Sequence, residues 1–258
     1  MSDFDTRFGG LARLYGRAGL EKLRAARVVV VGLGGVGTWA AEALARSGVG
    51  ALTLVDLDEV CASNINRQLH ALTETVGRAK VTVMAERIIA INPECRVTPE
   101  QQFFTAATAE ALLAVEYDFV LDAIDSVANK TLLLASCRKR RLPVVACGGA
   151  GGRRDGTQVR TADLASVAHD RLLAEVRKKL RKDFHFPADG SPMGVECVFS
   201  AEPPVFAQAD GSVCAERTAA AGGTRLNCNG GLGSATFVTG AFGFAAAGLV
   251  VRSIAAAP

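Results

Sequence analysis

A chain of 258 residues, 49% hydrophobic and 21% charged, has the make-up of a soluble globular protein with room for one large α/β domain or two small ones; collagen-like, coiled-coil and disordered classes are excluded. Its formal net charge of +3 is too small to indicate nucleic-acid binding alone, so the distribution of cations matters more than their sum. The seven cysteines, at 61, 95, 137, 147, 197, 214 and 228, form no C-x-x-C pair; this argues against structural zinc and a disulfide framework, and an odd count without a secretory apolar segment points to a reducing cytosol.

Residues 1–26 are read as an amino-terminal helical arm. Arg27 to Val31 is a short β-branched run ending in Gly32-Leu-Gly-Gly-Val-Gly37, and Ala-rich Thr38 to Arg46 has helical spacing, so the order is strand, glycine turn, helix. A second run, Ala51 to Val55, ends at Asp56; Lys80 to Ile91 then sets apolar residues at 81, 84, 88 and 91, an amphipathic helix that Asn92-Pro93 stops. Arg96 to Thr98 reads as a weak third strand, Ala106 to Val115 as helix, and Tyr117 to Leu121 as a strand running into Asp122-Ala-Ile-Asp125. Asn129 to Arg141 reads as helix and Val144 to Cys147 as strand. This alternation predicts a Rossmann-like, doubly wound, mainly parallel α/β sheet, with residues 27–152 as its nucleotide-binding core.

Past Gly148 to Gly152 the pattern loosens. Gln158 to Thr161 reads as strand and Leu164 to Lys182 as a basic amphipathic helix. Residues 187–233 hold Pro187, Pro192, Pro203, Pro204 and eight glycines, which predicts surface excursions with a mobile loop over 187–225. Ser234 to Val251 has no charged residue for 18 positions, the lower limit of a membrane span. Its Thr236, Thr239, Gly240, Gly243, Gly248 and many alanines fit a helix buried against a sheet better, with membrane association the less favoured reading. Residues 153–258 are thus expected to extend the same domain, giving one domain over 1–258.

Gly32, Gly34, Gly35 and Gly37 sit directly after a strand and open a helix, where backbone N–H groups and the positive helix end can face a phosphate. Asp56 lies 19 residues past Gly37, a spacing suited to ribose hydroxyls. These features indicate a nucleotide, and a nicotinamide-dependent oxidoreductase fits them equally.

The stretch Asp56-Leu-Asp58-Glu-Val60-Cys-Ala-Ser-Asn64-Ile-Asn66-Arg67-Gln68, then Lys80 and Asp125, resembles the adenylating core of the ubiquitin-activating-enzyme-like superfamily. The chemistry is coherent in its own right: attack at the α-phosphate of ATP needs cations on the triphosphate and an acid to hold Mg2+. Arg67 and Lys80 supply the cations, Asn64 and Gln68 position phosphate or the turn itself, and Asp125 takes the metal. Asp56 and Asp58 complete the expected nucleotide site.

Arg7 to Gly16, Asn64 to His70, Ile91 to Arg96, Asp122 to Ser126, Gly148 to Gly152, Glu196 to Ser200 and the glycine-rich approach to Phe237 extend the resemblance over essentially the whole chain. Together they look like the dehydratase family that acts on threonylcarbamoyladenosine in tRNA. Sulfur-carrier activators of the superfamily usually carry two C-x-x-C pairs for zinc, so zinc is not expected here. The resemblance implies ATP-dependent ring closure on the modified adenosine beside the anticodon, through an acyl-adenylate from which an internal nitrogen displaces AMP. It also implies a cytoplasmic homodimer in which Arg13, or less readily Arg7, reaches the partner's ATP site, and it leaves room for a sulfur-relay protein partner. Adenylation of the carboxyl terminus of a ubiquitin-like sulfur carrier stays open as the alternative.

Cys228, within Asn227-Cys-Asn-Gly-Gly231, is the candidate reactive thiol, although cyclisation requires none. Two basic clusters, Arg138 to Arg141 and Arg177, Lys178, Lys179, Arg181 and Lys182, close helices, where cations complement the helix dipole. With a tRNA substrate the second cluster becomes the expected phosphate contact. His70, His169 and His185 carry no assigned role.

Overall fold

Val28 to Val31 of strand β1 (Arg27–Val31) are all buried, as expected of a strand covered on both faces. The computed structural model describes residues 2–208, 210–215 and 232–256. Strands β2 (Ala51–Val55), β3 (Arg96–Glu100), β4 (Phe119–Asp122), β5 (Val144–Cys147), β6 (Val159–Asp163) and β7 (Glu196–Ser200) complete a seven-stranded sheet of order β3-β2-β1-β4-β5-β7-β6. Every pairing is parallel except that of β6 with β7. From β1 the chain steps outward through β2 and β3, then returns to the other flank of β1 as β4. A separate hairpin joins β8 (Phe206–Ala207) to β9 (Val213–Cys214).

Strand alternation divides the core. Val28 and Val30 face a layer that includes Leu23 of α1 (Asp3–Ala25), Ala41 and Leu44 of α2 (Gly37–Arg46), and Met84 and Ile88 of α3 (Lys80–Ile91). Val29 and Val31 face the opposite layer, with Leu112 of α4 (Ala109–Leu112) and Leu133 of α5 (Val127–Arg140). Beside it, Leu173, Val176 and Leu180 of α6 (Arg171–Phe184) cover Ala146 and Cys197. Helix α7 (Thr236–Ala256) is long and apolar enough to cross a membrane, but Val238, Phe242, Ala246 and Val250 are buried in the first layer. A Cβ on Gly243 would lie 2.7 Å from Trp39 Cβ and 2.7 Å from Val36 O, so α7 lies close against α2 only because this position is glycine.

Four departures from the predicted elements go beyond small shifts of their ends. Helix α1 is broken at Gly16, which has φ +76°. Helix α4 is a single turn rather than the predicted 106–115, because Thr108 Oγ1 turns back to Phe103 O at 2.6 Å and accepts from the Thr105 amide at 2.9 Å. The basic helix begins at Arg171 rather than Leu164. Asp163 first caps a short 3-10 turn, Leu164–Ser166, and His169 takes a left-handed φ of +57° before Asp170 caps α6. Within the predicted mobile loop 187–225, Glu196–Ser200 is instead an inserted strand, β7, whose Cys197 to Ser200 are buried. Its five residues were masked by the proline and glycine content around them.

Candidate active site at the carboxyl edge of the sheet

In open α/β sheets, ligands bind beyond the carboxyl ends of the strands where strand order reverses, here between β1 and β4. Two turns meet at that point. Gly32 leaves β1 with φ +94°, and a Cβ on it would stand 2.8 Å from Ala123 O in the turn after β4. A Cβ on Gly37 would stand 1.8 Å from Gly32 O, so only glycine closes this loop. The α2 amino end has no side-chain cap and no acidic residue in its first turn, which leaves its amides and positive dipole end for an anion.

The segment after β2 fastens the cations to this turn. Asp56 is buried; its Oδ2 accepts from the Leu33 amide at 2.7 Å and its Oδ1 from the Asp58 amide at 2.9 Å. The carboxylate therefore joins the end of β2 to the glycine turn. Burial holds its pKa above the ordinary value, against the pull of Lys80 and the two amides. Lys80 opens α3 with its side chain 6% exposed, and its Nζ donates to Asp58 Oδ2 at 2.9 Å. Arg67 is anchored through its backbone oxygen, which accepts from Trp39 Nε1 at 3.1 Å and Thr239 Oγ1 at 3.3 Å. Its Cγ lies 3.4 Å from the place a Cβ on Gly35 would take, and its guanidinium donates to Ser63 O and Asn66 Oδ1. Asn64 is buried and shapes the loop, its Oδ1 accepting from the Cys61 amide at 3.0 Å. Gln68 is buried too, and among the described residues its Oε1 has no hydrogen-bond partner.

On the other flank, Asp122 ends β4 fully buried, its Oδ1 accepting from the Ile124 amide at 3.0 Å. Lys130 of α5, also fully buried, stands 2.8 Å from Asp122 Oδ2. Asp125, three residues on, is exposed, and among the described residues no group pairs with its carboxylate. The turn after β5 is tied down by Asp170, whose Oδ2 accepts from the Gly149 amide at 2.8 Å and whose Oδ1 accepts from the Leu173 amide at 2.9 Å. Arg67 thus packs at Gly35, Asp56 ties the segment carrying the Asp58–Lys80 pair to Leu33, and Ala123, two residues before Asp125, meets Gly32.

The family model described as the ThiF family matches residues 9–254. Over 251 residues the chain is 50% identical to the tRNA threonylcarbamoyladenosine dehydratase of Escherichia coli (strain K12), covering 97% of this chain and 94% of that one. It is 43% identical over 255 residues to the dehydratase of the same name from Haemophilus influenzae, covering 98% and 95%. A crystal structure of the Escherichia coli enzyme in complex with ATP aligns with a TM-score of 0.86 at 45% identity, over 98% of this chain and 96% of that one. The chain belongs to the ThiF family, in the branch of these dehydratases.

The other described candidate residues of this ThiF-family protein lie on α1 and α6. Arg13 is exposed on α1, with no partner among the described residues, whereas Arg7 is engaged by Asp3 at 2.7 Å and by Ile91 O. In the basic cluster, Arg177 donates to Leu164 O and Val167 O, and Arg181 donates to Pro187 O. That leaves Lys178, Lys179 and Lys182 exposed. Cys228 lies outside the described residues. Burial pushes the thiols of Cys137 and Cys147 up to about 12 and that of Cys95 up to about 11, so these three are inert small hydrophobes.

Sequence reasoning passed over His70, Asp122 and Lys130. His70 is 1% exposed, with its ring near the Leu33 backbone. Burial, and secondarily the Lys80 charge, push its pKa down to about 4, so the ring beneath the site is neutral. The sequence signals were present: an acid closing an apolar strand, and a lysine in the first turn of the following helix.

Proposed function

We propose that this protein is an ATP-dependent tRNA threonylcarbamoyladenosine dehydratase. A carboxylate oxygen of the modified nucleoside attacks the α-phosphorus of ATP, and pyrophosphate leaves. An internal nitrogen then attacks the acyl carbon of the adenylate and loses its proton; AMP leaves with the former carboxylate oxygen, and the ring closes. ATP is needed because a carboxylate oxygen is a poor leaving group and AMP a good one. Intramolecular attack gains from proximity, worth up to about 7–11 kcal/mol in ideal cases. The observation that carries this reading is the near full-length likeness to the Escherichia coli enzyme, and the glycine turn is its chemical counterpart.

In this reading the amides of the Gly32–Gly37 turn cradle the phosphates. Arg67 and Lys80 offset the charge developing at the α-phosphate, Asp56 and Asp58 border the ribose, and Asn64 and Gln68 hold the loop that carries Arg67. Mg2+ takes oxygen ligands, commonly one or two carboxylates with substrate phosphates, and Asp125, exposed and unpaired among the described residues and two positions past Ala123 at the glycine turn, fits that donor set. Bound there, it would offset phosphate charge. Arg13 reaches the site of a second copy in a cytoplasmic homodimer, and Lys178, Lys179 and Lys182 meet tRNA phosphates.

Nucleoside mass spectrometry of tRNA from cells with and without the gene tests the reaction. Loss of the cyclic nucleoside with accumulation of the open form is expected; an unchanged cyclic pool with no second enzyme to supply it refutes the assignment. ATP–pyrophosphate exchange stimulated by a ubiquitin-like sulfur carrier and not by tRNA would establish the alternative substrate.

A further inference from the structure

Asp122 and Lys130 form an ion pair with both side chains 0% exposed. Such a pair is a weak source of stability, since apolar residues of similar volume fill a core as well. Its effect here is geometric. Asp122 Oδ1 holds the Ile124 amide, and Lys130 Nζ donates to the Asp122 backbone oxygen at 3.4 Å. The Lys130 amide donates to Ser126 O at 2.9 Å as the first backbone bond of α5, so the lysine side chain holds the Asp122 end of the 122–126 turn and the start of the helix holds the other. That turn rests directly on the glycine turn: the Ala123 amide donates to Val31 O at 2.9 Å, and Gly32 has no room for a Cβ beneath Ala123 O. Asp170 also lies within electrostatic reach of Lys130, but its oxygens are held by the Gly149 and Leu173 amides. Asp122 is therefore the ion-pair partner of Lys130.

We infer that Asp122 and Lys130 are positioning residues for adenylation. The buried pair clamps the Asp122–Ser126 turn against the glycine turn and thereby aims the Asp125 carboxylate at the metal that accompanies ATP. This rests on the assignment of Asp125 to Mg2+ made above.

Mn2+ binding to the full-length protein with a nonhydrolysable ATP analogue, followed by electron paramagnetic resonance, reads the metal site without turnover. Lys130→Met leaves a buried carboxylate unpaired, so the paired variant Asp122→Asn/Lys130→Met, which removes both charges, is the second probe. Both are expected to raise the half-saturating Mn2+ concentration about tenfold, as loss of an outer partner of a metal ligand does. Lys130→Arg should restore it to near the wild-type value, and the thermal midpoint of the paired variant without nucleotide should stay close to wild type. Wild-type Mn2+ affinity in a folded paired variant overturns the inference, as does a paired variant that cannot fold, which would make the pair a stability element. Unchanged Mn2+ affinity in Asp125→Asn overturns instead the metal assignment on which it rests.

Discussion

The two edges of the parallel sheet treat charge in opposite ways. At the carboxyl edge Asp56, Lys80, Asp122, Lys130 and Asp170 are all buried, each held by a named partner. At the amino edge, where α5 and α6 end, Lys139, Lys178, Lys179 and Lys182 are exposed. There Arg138 lies 4.1 Å over the Phe186 ring and donates to His185 O, joining the two helix ends. Helix α6 has 14 residues, about 21 Å at 1.5 Å per residue, and its amino-terminal cap Asp170 touches Gly149 at the site edge. Its basic end therefore lies far from the glycine turn. Fixed, desolvated charges act on one phosphate without reorganising, whereas solvated charges are screened and give attraction that varies with salt. The first edge suits chemistry and the second suits holding a large anion.

The largest effect should come from breaking the carboxyl edge at its tightest contact. Gly37→Ala places a methyl group 1.8 Å from Gly32 O, where only backbone could give way. ATP binding measured by calorimetry should be lost; retained affinity would remove the turn from the site. Next come the cations. Lys80→Ala and Arg67→Ala should each lower ATP–pyrophosphate exchange by about 10²–10³-fold, the usual range for losing one donor to developing charge. Far-ultraviolet circular dichroism should be unchanged, because the Asp58 carboxylate left behind by Lys80 is 53% exposed. Full activity in either variant would undo the assignment.

The glycine turn, Asp56 and the Arg67–Lys80 spacing were legible in the sequence because each lies within one strand–turn–helix unit or the crossover after it, where spacing fixes place. Asp125 was legible as a candidate carboxylate, but Asp122 and Lys130 were not. Their meaning depends on Asp122 being wholly enclosed and on the contact between Ala123 and Gly32, which no local pattern records. Strand β7 escaped notice for a related reason: its partners are distant in the chain, 51 residues away for Cys147↔Val198 in β5 and 33 for Asp163↔Glu196 in β6. The start of α6 was misplaced because Asp163 and Asp170 both cap, and the first encloses only a 3-10 turn.

A smaller effect tests whether the carboxyl edge is as dry as His70 indicates. Its pKa in the fold, about 4, lies below the ordinary 6.5, so the folded state resists a proton that the unfolded chain accepts. The stability tied to the neutral ring is fully present above pH 6.5 and is lost as pH falls toward 4, in total about 3 kcal/mol at 1.36 kcal/mol per unit. Urea unfolding of the wild type should therefore lose midpoint steadily between those values, and His70→Gln should decline less steeply. Parallel pH profiles would mean that water reaches the ring.

The smallest effect on the chemical step should come from the amino edge. Each phosphate contact adds about 0.7–0.9 to the slope of log affinity against log salt, so Lys178→Ala/Lys179→Ala/Lys182→Ala should reduce the slope for tRNA by up to about 2–3 while ATP affinity stays at the wild-type value. Arg177→Ala should behave differently. Its guanidinium already caps Leu164 O and Val167 O, so its loss should lower the thermal midpoint and leave the salt slope nearly unchanged. If the triple variant kept the wild-type slope, the exposed lysines would only complement the end of the α6 dipole, and tRNA would have to be held at the carboxyl edge, where the same buried charges would then serve both affinity and chemistry.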